Sequence, residues 1–484
     1  MQTCGKPYFL CEKEVNSSEN QGNMYLWAMK PSIKLPIEDF DYHLPDQSIA
    51  YTPASIRSDS KLLVWNKEII AESTYNQIAS FIPEKAALYF NNSKVIAARI
   101  HFQKANNSTI EIFCLEPSNN YQPISLAMQA TQKVEWICLV GGAKKWKEDY
   151  LEKEFEIIQQ SINGENIGEN KVENKPTKNT NNSISIKVHA KKIKSLEGKF
   201  LIEFSWDNNT ISFSEIIEHI GSIPLPPYIQ RATTEEDKDR YQTTYAKQEG
   251  SVAAPTAGLH FNAAIFESLV QKKCSTDFIS LHVGAGTFMP VKTAAITDHE
   301  MHAEVFEITT ATLTHLIEIA NHKELNPINY TPVIAVGTTT LRTIESLYWL
   351  GVKLINNKRL QENKELHLMQ WDAYASNPRA ENESNSGSSN NSITVKNALS
   401  TLLGWMQSHQ MDQLITSTQL MIVPGYSFKI ANGLVTNFHQ PKSTLLLIIA
   451  AITGDKWKSI YQHAIDNQYR FLSYGDGCFF TINE

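Results

Sequence analysis

The sequence predicts an α/β protein with a β-rich module inserted in it, and three observations lead there. Across residues 100–213 short strands dominate: TIEIFCLE, VEWICLVG, ISIKVHAKKI, KFLIEFSW and TISF alternate in polarity between Asn/Gly/Lys turns. That pattern reads as a small antiparallel barrel or sandwich. After residue 213 helical stretches alternate with apolar strands, the rhythm of an α/β layer with parallel strands. The chain also has 484 residues. A single core stops growing below that size, so two or three domains are expected.

The elements follow in chain order. Residues 61–70 (KLLVWNKEII) read as strand, turn and strand. Residues 86–99 open with the apolar strand ALYF, followed by the turn-prone Asn91-Asn92-Ser93. Beyond the β-rich module, helices are expected over 262–272 and 309–321, and buried strands at FISLHVG (278–284) and PVIAVG (332–337). Two segments stand apart in composition: 158–182 holds seven Asn in 25 residues, and 376–392 holds eleven Ser or Asn in 17. Neither can bury enough apolar surface to offset its ordering entropy, so both read as flexible surface insertions. No repeat of fixed period occurs.

Composition excludes several classes. With 44 Lys+Arg against 51 Asp+Glu the formal charge is −7, which gives no global hint of nucleic acid. Six scattered cysteines form no CxxC pair, so neither a disulfide framework nor a cysteine-built zinc finger is expected. The longest strongly apolar run, eight residues over 445–452, is far short of the about 20 that span a membrane. No secretory signal is legible at the N-terminus. A cytoplasmic location is the expectation.

Six stretches could carry chemistry. In SVAAPTAGLHF (251–261) small residues with Pro255 and Gly258 let the backbone approach a ligand, and His260 is either a core histidine or a catalyst. LHVGAGTFMPV (281–291) leaves a strand through a Gly turn, where open α/β sheets bind ligands. It lacks both the GxGxxG and the GxxxxGK[ST] fingerprints. DHEMHAEVFE (298–307) sets His299 and His302 three apart, which is not the HExxH spacing of a zinc helix. As a strand it would place His302, Glu304 and Phe306 on one face. VGTTTLRTIES (336–346) reads as strand, Gly turn and a helix start that attracts anions, with Arg342 and Glu345 spaced to pair. Finally, 424–453 crowds Asn437, His439, Lys442 and Ser443 before an apolar helix, and YRFLSYGDG (469–477) adds Arg470, Tyr474 and Asp476.

One local feature runs against the global charge. Residues 183–200 carry five lysines and one glutamate, net +4, and Lys144, Lys145 and Lys147 cluster beside Trp146. Phosphate contacts depend on such local patches. A solvated basic edge that blocks strand aggregation is the other reading.

In this order, SVAAPTAGLHF, LHVGAGTFMPV, MHAEVFEI, VGTTTLRTIES, PGYSFKIANGLVTNFHQPKSTLLLI and YRFLSYGDG resemble the S-adenosylmethionine:tRNA ribosyltransferase-isomerase (QueA) family of queuosine biosynthesis. IPLPPYIQR (223–231), DRYQTTYAKQEG (239–250), KLLV and NNSKVIAARI extend the resemblance over residues 51–480, apart from the two polar insertions. There are departures. Asn92, Ser93 and Ala97 stand where the family pattern has Asp, Thr and Pro, and VGGAKKWK (140–147) lacks the usual Arg-Pro. The chain is also longer than a typical member, mostly through 354–415.

The resemblance implies an irregular TIM-barrel-like α/β domain (30–99 and 214–484) with an inserted antiparallel six-stranded β-barrel domain (100–213). It implies transfer of the ribosyl part of S-adenosylmethionine onto 7-aminomethyl-7-deazaguanine at the tRNA wobble position, giving epoxyqueuosine, adenine and methionine. S-adenosylmethionine is consumed, and no metal or other cofactor is implied. A monomer is the simplest expectation.

Roles follow from that chemistry. A sulfonium acidifies the adjacent ribose C–H, so a base is needed, and departing adenine calls for an acid. His260, His282, His302 and His439 are the candidate proton carriers. The methionine carboxylate would sit on Gly284, Gly286 and Thr287, or on Thr338–Thr340 with Arg342. Its ammonium would sit on Asp476 or Glu304. Phe261, Phe288 and Tyr474 are available to the flipped base, and Thr256, Gly258, Asn437 and Lys442 complete the substrate-binding set. Lys144, Lys145, Lys191, Lys192 and Lys194 would meet tRNA. Two other classes stay open at this level: a metal-dependent α/β hydrolase using His299, His302, His439 and a carboxylate, and a non-catalytic RNA-binding protein.

Overall fold

A computed structural model describes residues 35–67, 69–159, 182–284, 291–357, 360, 366–375 and 393–482. Residues 160–181 and 376–392, the bulk of the two polar insertions, lie outside the described residues. So do Gly286, Thr287 and Phe288.

The larger sheet has nine strands, in the order Gln413–Thr418, Glu304–Thr309, Ser275–Leu281, Ala87–Asn91, Val333–Val336, Gly433–Asn437, Gly477–Thr481, Lys61–Asn66 and Ile69–Thr74. Its centre is parallel: Ala87–Asn91 pairs in parallel with Ser275–Leu281 on one side and Val333–Val336 on the other, and Gly433–Asn437 extends the run. Ala87–Asn91, Val333–Val336 and Gly433–Asn437 are buried at every position, as strands covered on both faces are, whereas Ser275–Leu281 is buried only over its last three residues. Antiparallel pairs follow on both flanks. The last described strand returns beside the first described one, in parallel, with Leu62 opposite Gly477.

Among the described residues this is an open mixed sheet, so the α/β class stands but a TIM-like ring does not. A TIM barrel closes through eight parallel strands, and the antiparallel flanks here end in two unjoined edges. The hairpin at 61–70 and the strand at 332–337 form where the sequence predicts them, whereas the strand expected at 278–284 runs over Ser275–Leu281. Helices Ala263–Gln271 and Thr310–Leu325 start on side-chain caps from Asn262 and Thr309. No described helix is long and apolar enough to cross a membrane.

The second sheet corrects the six-stranded barrel. It has seven antiparallel strands, Gly221–Ser222, Arg99–Gln103, Thr109–Pro117, Lys133–Gly141, Lys199–Trp206, Asn182–Leu196 and Leu151–Gln159, in that order. The sheet curls into a half-barrel: Lys153 on the last strand donates through Nζ to His101 O and Ile220 O, each at 3.1 Å. It encloses its own core around Trp136, Phe204 and Phe213. The expected strand TISF is also corrected. Ser212 and Glu215 form a reciprocal capping box, which commits Phe213–Ile220 to helix.

Candidate active site

Ligands bind outside the carboxyl ends of parallel strands, and a cleft lies there. It encloses about 710 Å³ of space, open solvent included. Val283 lines it beyond Ser275–Leu281, Thr338 and Thr339 beyond Val333–Val336, and Phe438, His439 and Gln440 beyond Gly433–Asn437. Pro255, Thr256 and Ala257 form the wall contributed by SVAAPTAGLHF.

Two helices begin at this cleft. Thr338–Asn356 starts at Gly337, whose φ of 98° fits the turn and would strain any residue with a Cβ. Thr444–Thr453 starts at Ser443, whose Oγ accepts from Leu446 N at 3.2 Å. Both N-termini present N–H groups with no partner among the described residues and a positive dipole end, so the cleft favours an anionic group.

Asn437 organises the floor. Thr256 Oγ1 donates to its Oδ1 at 2.8 Å, while its Nδ2 lies 3.4 Å from His260 Nε2 and from Asp476 O. His260 is buried, 3.1 Å from Arg57 O through Nδ1, and stacked on Tyr75 with centroids 4.1 Å apart. Both of its ring nitrogens are therefore engaged. Burial lowers its pKa to about 4. His439 is also buried and its pKa falls to about 3 for the same reason. Its Nε2 lies 3.1 Å from Thr436 Oγ1, and its Nδ1 has no partner among the described residues. Both histidines are thus neutral near pH 7.

The other candidates separate from this group. His302 is exposed: the strand begins at Glu304, so the expected shared face holds Glu304 and Phe306 but not the histidine. His282 lies 3.5 Å from Glu307 through Nε2, and its buried Nδ1 has no partner among the described residues. Arg342 does not face the cleft. Its Nη1 reaches Glu304 at 2.6 Å and its Nε donates to Leu420 O, so the pair is a buried structural bridge. Nor does Arg342 pair with Glu345. That carboxylate accepts from Tyr426 Oη and from the N–H groups of Lys429, Ile430 and Ala431.

Asp476 is spent on the turn that holds it. Its two oxygens accept from Lys61 N and Arg470 N at 2.8 and 2.7 Å, and burial raises its pKa. Lys442 reaches outward to Glu38 and Asp41. Phe261 is enclosed by Tyr75, Phe90 and Phe266 and offers no open face to a base. Tyr474 is buried and donates to Asp237 Oδ1 at 2.9 Å. Gly258 is a close-packing residue, since a Cβ there would fall 1.9 Å from Tyr245 Oη. Gly284 is half-buried, and among the described residues no atom beyond its chain neighbours lies within 4 Å of where a Cβ would stand.

Among the lysines, Lys144, Lys145, Lys191 and Lys194 are exposed. Lys192 folds over the Trp146 ring at 4.7 Å and donates to its carbonyl. The adjacent strand Leu151–Gln159 sets Glu152 opposite His189 and Glu154 opposite Lys187. The net +4 of this tract is therefore concentrated at its Lys191–Lys194 end.

A family model described as queuosine biosynthesis protein matches residues 37–369 and 381–480. The chain belongs to this family. One relative of the family, from Vesicomyosocius okutanii subsp. Calyptogena okutanii (strain HA), is 31% identical over 450 residues, covering 93% of this chain and 99% of its own length. Another, from Halothermothrix orenii, is 31% identical over 446 residues, covering 91% and 98%. Both are named S-adenosylmethionine:tRNA ribosyltransferase-isomerase. A crystal structure of S-adenosylmethionine tRNA ribosyltransferase from Thermotoga maritima is 21% identical with a TM-score of 0.39, covering 91% of this chain and 99% of that one.

Sequence reading of this queuosine biosynthesis protein missed several cleft residues, among them Tyr228, Gln440 and Ser473. Tyr228 Oη is bonded to Ser473 Oγ and accepts from Ser473 N at 3.0 Å, and burial pushes its pKa up to about 12. All three sit inside stretches that the motifs already marked. Nothing in their spacing separates them from neighbouring packing residues.

Proposed function

We propose that this chain transfers and isomerises the ribosyl moiety of S-adenosylmethionine onto 7-aminomethyl-7-deazaguanine at the tRNA wobble position. The products are epoxyqueuosine-tRNA, adenine and methionine. The observation that carries this reading is the end-to-end alignment with relatives bearing that enzyme name. The cleft supplies a matching environment. The methionine carboxylate sits at the helix starts formed by Thr338, Thr339 and Ser443, in place of Arg342. His439, neutral and with Nδ1 unengaged, takes the proton from the ribose carbon beside the sulfonium. Asn437, held by Thr256, positions His260 behind the reacting sugar. The curled sheet offers Lys144, Lys145, Lys191 and Lys194 to the tRNA backbone.

The test is to incubate the protein with S-adenosylmethionine and tRNA bearing the aminomethyl base, then quantify adenine and the modified nucleoside. His439→Ala is expected to slow adenine release about 100-fold or more, while His302→Ala retains the wild-type rate. Equal rates for the two variants would overturn the assignment of the base.

A further inference from the structure

A second, smaller hollow lies behind His260. It encloses about 250 Å³, open solvent included, between Arg57, Ser60, Arg240, His260, Ser473 and Tyr474. Ser473 lines both this hollow and the main cleft. His260 joins them a second time through Asn437.

The hollow carries positive charge with little to neutralise it. Arg57 spends its guanidinium on the carbonyls of Gln242, Leu259 and Asp239. Arg240 spends its own on those of Ser55 and Ala54. Neither forms an ion pair with a carboxylate among the described residues. Burial and then the charge of Arg240 lower the Arg57 pKa, against opposing contributions from Tyr474 and then Asp239. Two buried acids stand near the hollow and both are engaged: Asp237 by Arg231 at 2.6 and 2.7 Å and by Tyr474, and Asp476, beside Ser60, by Lys61 N and Arg470 N. Two donors remain unused: Ser60 Oγ, on a residue 3% exposed, and Arg240 Nε are both buried without a partner among the described residues. A buried donor without an acceptor costs about 1–3 kcal/mol, so an acceptor-rich ligand has a place to enter.

We propose that this hollow is an anion subsite that takes a backbone phosphate of the tRNA beside the nucleotide in the main cleft. The inference rests on the proposed function. Phosphate oxygens match the two unused donors, and two guanidinium charges match their negative charge. The other anionic group in the reaction, the methionine carboxylate, already has the two helix starts.

Ser60→Asp tests this without removing an existing side-chain bond, because the Ser60 hydroxyl makes none. It places a carboxylate where the phosphate would sit. In the full chain, tRNA affinity at about 100 mM salt is expected to fall about tenfold. The slope of log K against log salt is expected to shrink by about 1. S-adenosylmethionine affinity and the melting temperature stay unchanged. Unchanged tRNA affinity and slope would overturn the proposal. A selective loss of S-adenosylmethionine affinity would overturn it too, reassigning the hollow to the carboxylate. If Ser60→Asp does not fold, Arg240→Lys keeps the charge and removes the Nε donor together with the guanidinium fork that holds Ser55 O and Ala54 O, so its melting temperature is measured alongside. It is expected to weaken tRNA binding severalfold, and unchanged binding would overturn the proposal. Adenine release by the wild type is measured in parallel. Its absence refutes the proposed reaction, whereas retained tRNA affinity in the variants refutes only the subsite.

Discussion

His260 and His439 make the protein acid-sensitive in a way that can be calculated. Both are buried, with pKa values near 4 and 3 in the fold against 6.5 for an ordinary histidine. Between the folded and the unfolded value, the unfolded chain binds more protons, so stability rises with pH across that window. Lowering the pH from about 7 to about 5 then costs about 2 kcal/mol per histidine, or about 4 kcal/mol for the two. Asp476 and Glu345 act in the opposite direction. Burial raises both, so they favour the fold as pH falls toward the carboxylate range. Comparing variants isolates the histidine contribution. Urea unfolding of wild type and His439→Gln at the two pH values should show the variant losing about 2 kcal/mol less on acidification. Identical pH dependence in the two proteins would refute the reading of His439 as a buried neutral imidazole.

Three further outcomes follow from the packing around the cleft. Arg342→Met removes the guanidinium that pairs with the buried Glu304 carboxylate and should cost about 3–5 kcal/mol in denaturant unfolding. Because Arg342 is outside the cleft, KM for S-adenosylmethionine in the folded variant should not change. Glu345→Gln puts an amide N–H against donors that now point at carboxylate oxygens, and should cost about 2–4 kcal/mol by the same measurement. Gly258→Ala should lower stability by about 1–3 kcal/mol through collision with Tyr245 Oη. Adding Tyr245→Phe should recover part of that loss, and no recovery would place the strain elsewhere.

Much of this organisation is legible in the residues. The apolar runs FISLHVG and PVIAVG form central strands, and the Gly turn after Val336 does start a helix at the cleft. Ordered motifs named the family. What the sequence did not carry is side-chain direction. Arg342 and Glu345 are three residues apart on one helix, a spacing that allows a pair, yet tertiary partners claim each. Likewise, Asp476 looks like a free carboxylate on a Gly-rich turn, and only the return of Lys61 beside it shows that both oxygens are taken. The open edges of the main sheet were equally hidden, because strand pairing is set by long-range contacts. TISF failed for a local reason that could have been read: Ser212 with Glu215 three residues later is a capping signature.

Adenine release is the most direct test of the central claim. With S-adenosylmethionine and tRNA carrying the aminomethyl base, the protein should release adenine in step with formation of the modified nucleoside, one for one. No adenine with that tRNA, or adenine formed equally fast without it, would contradict the assignment.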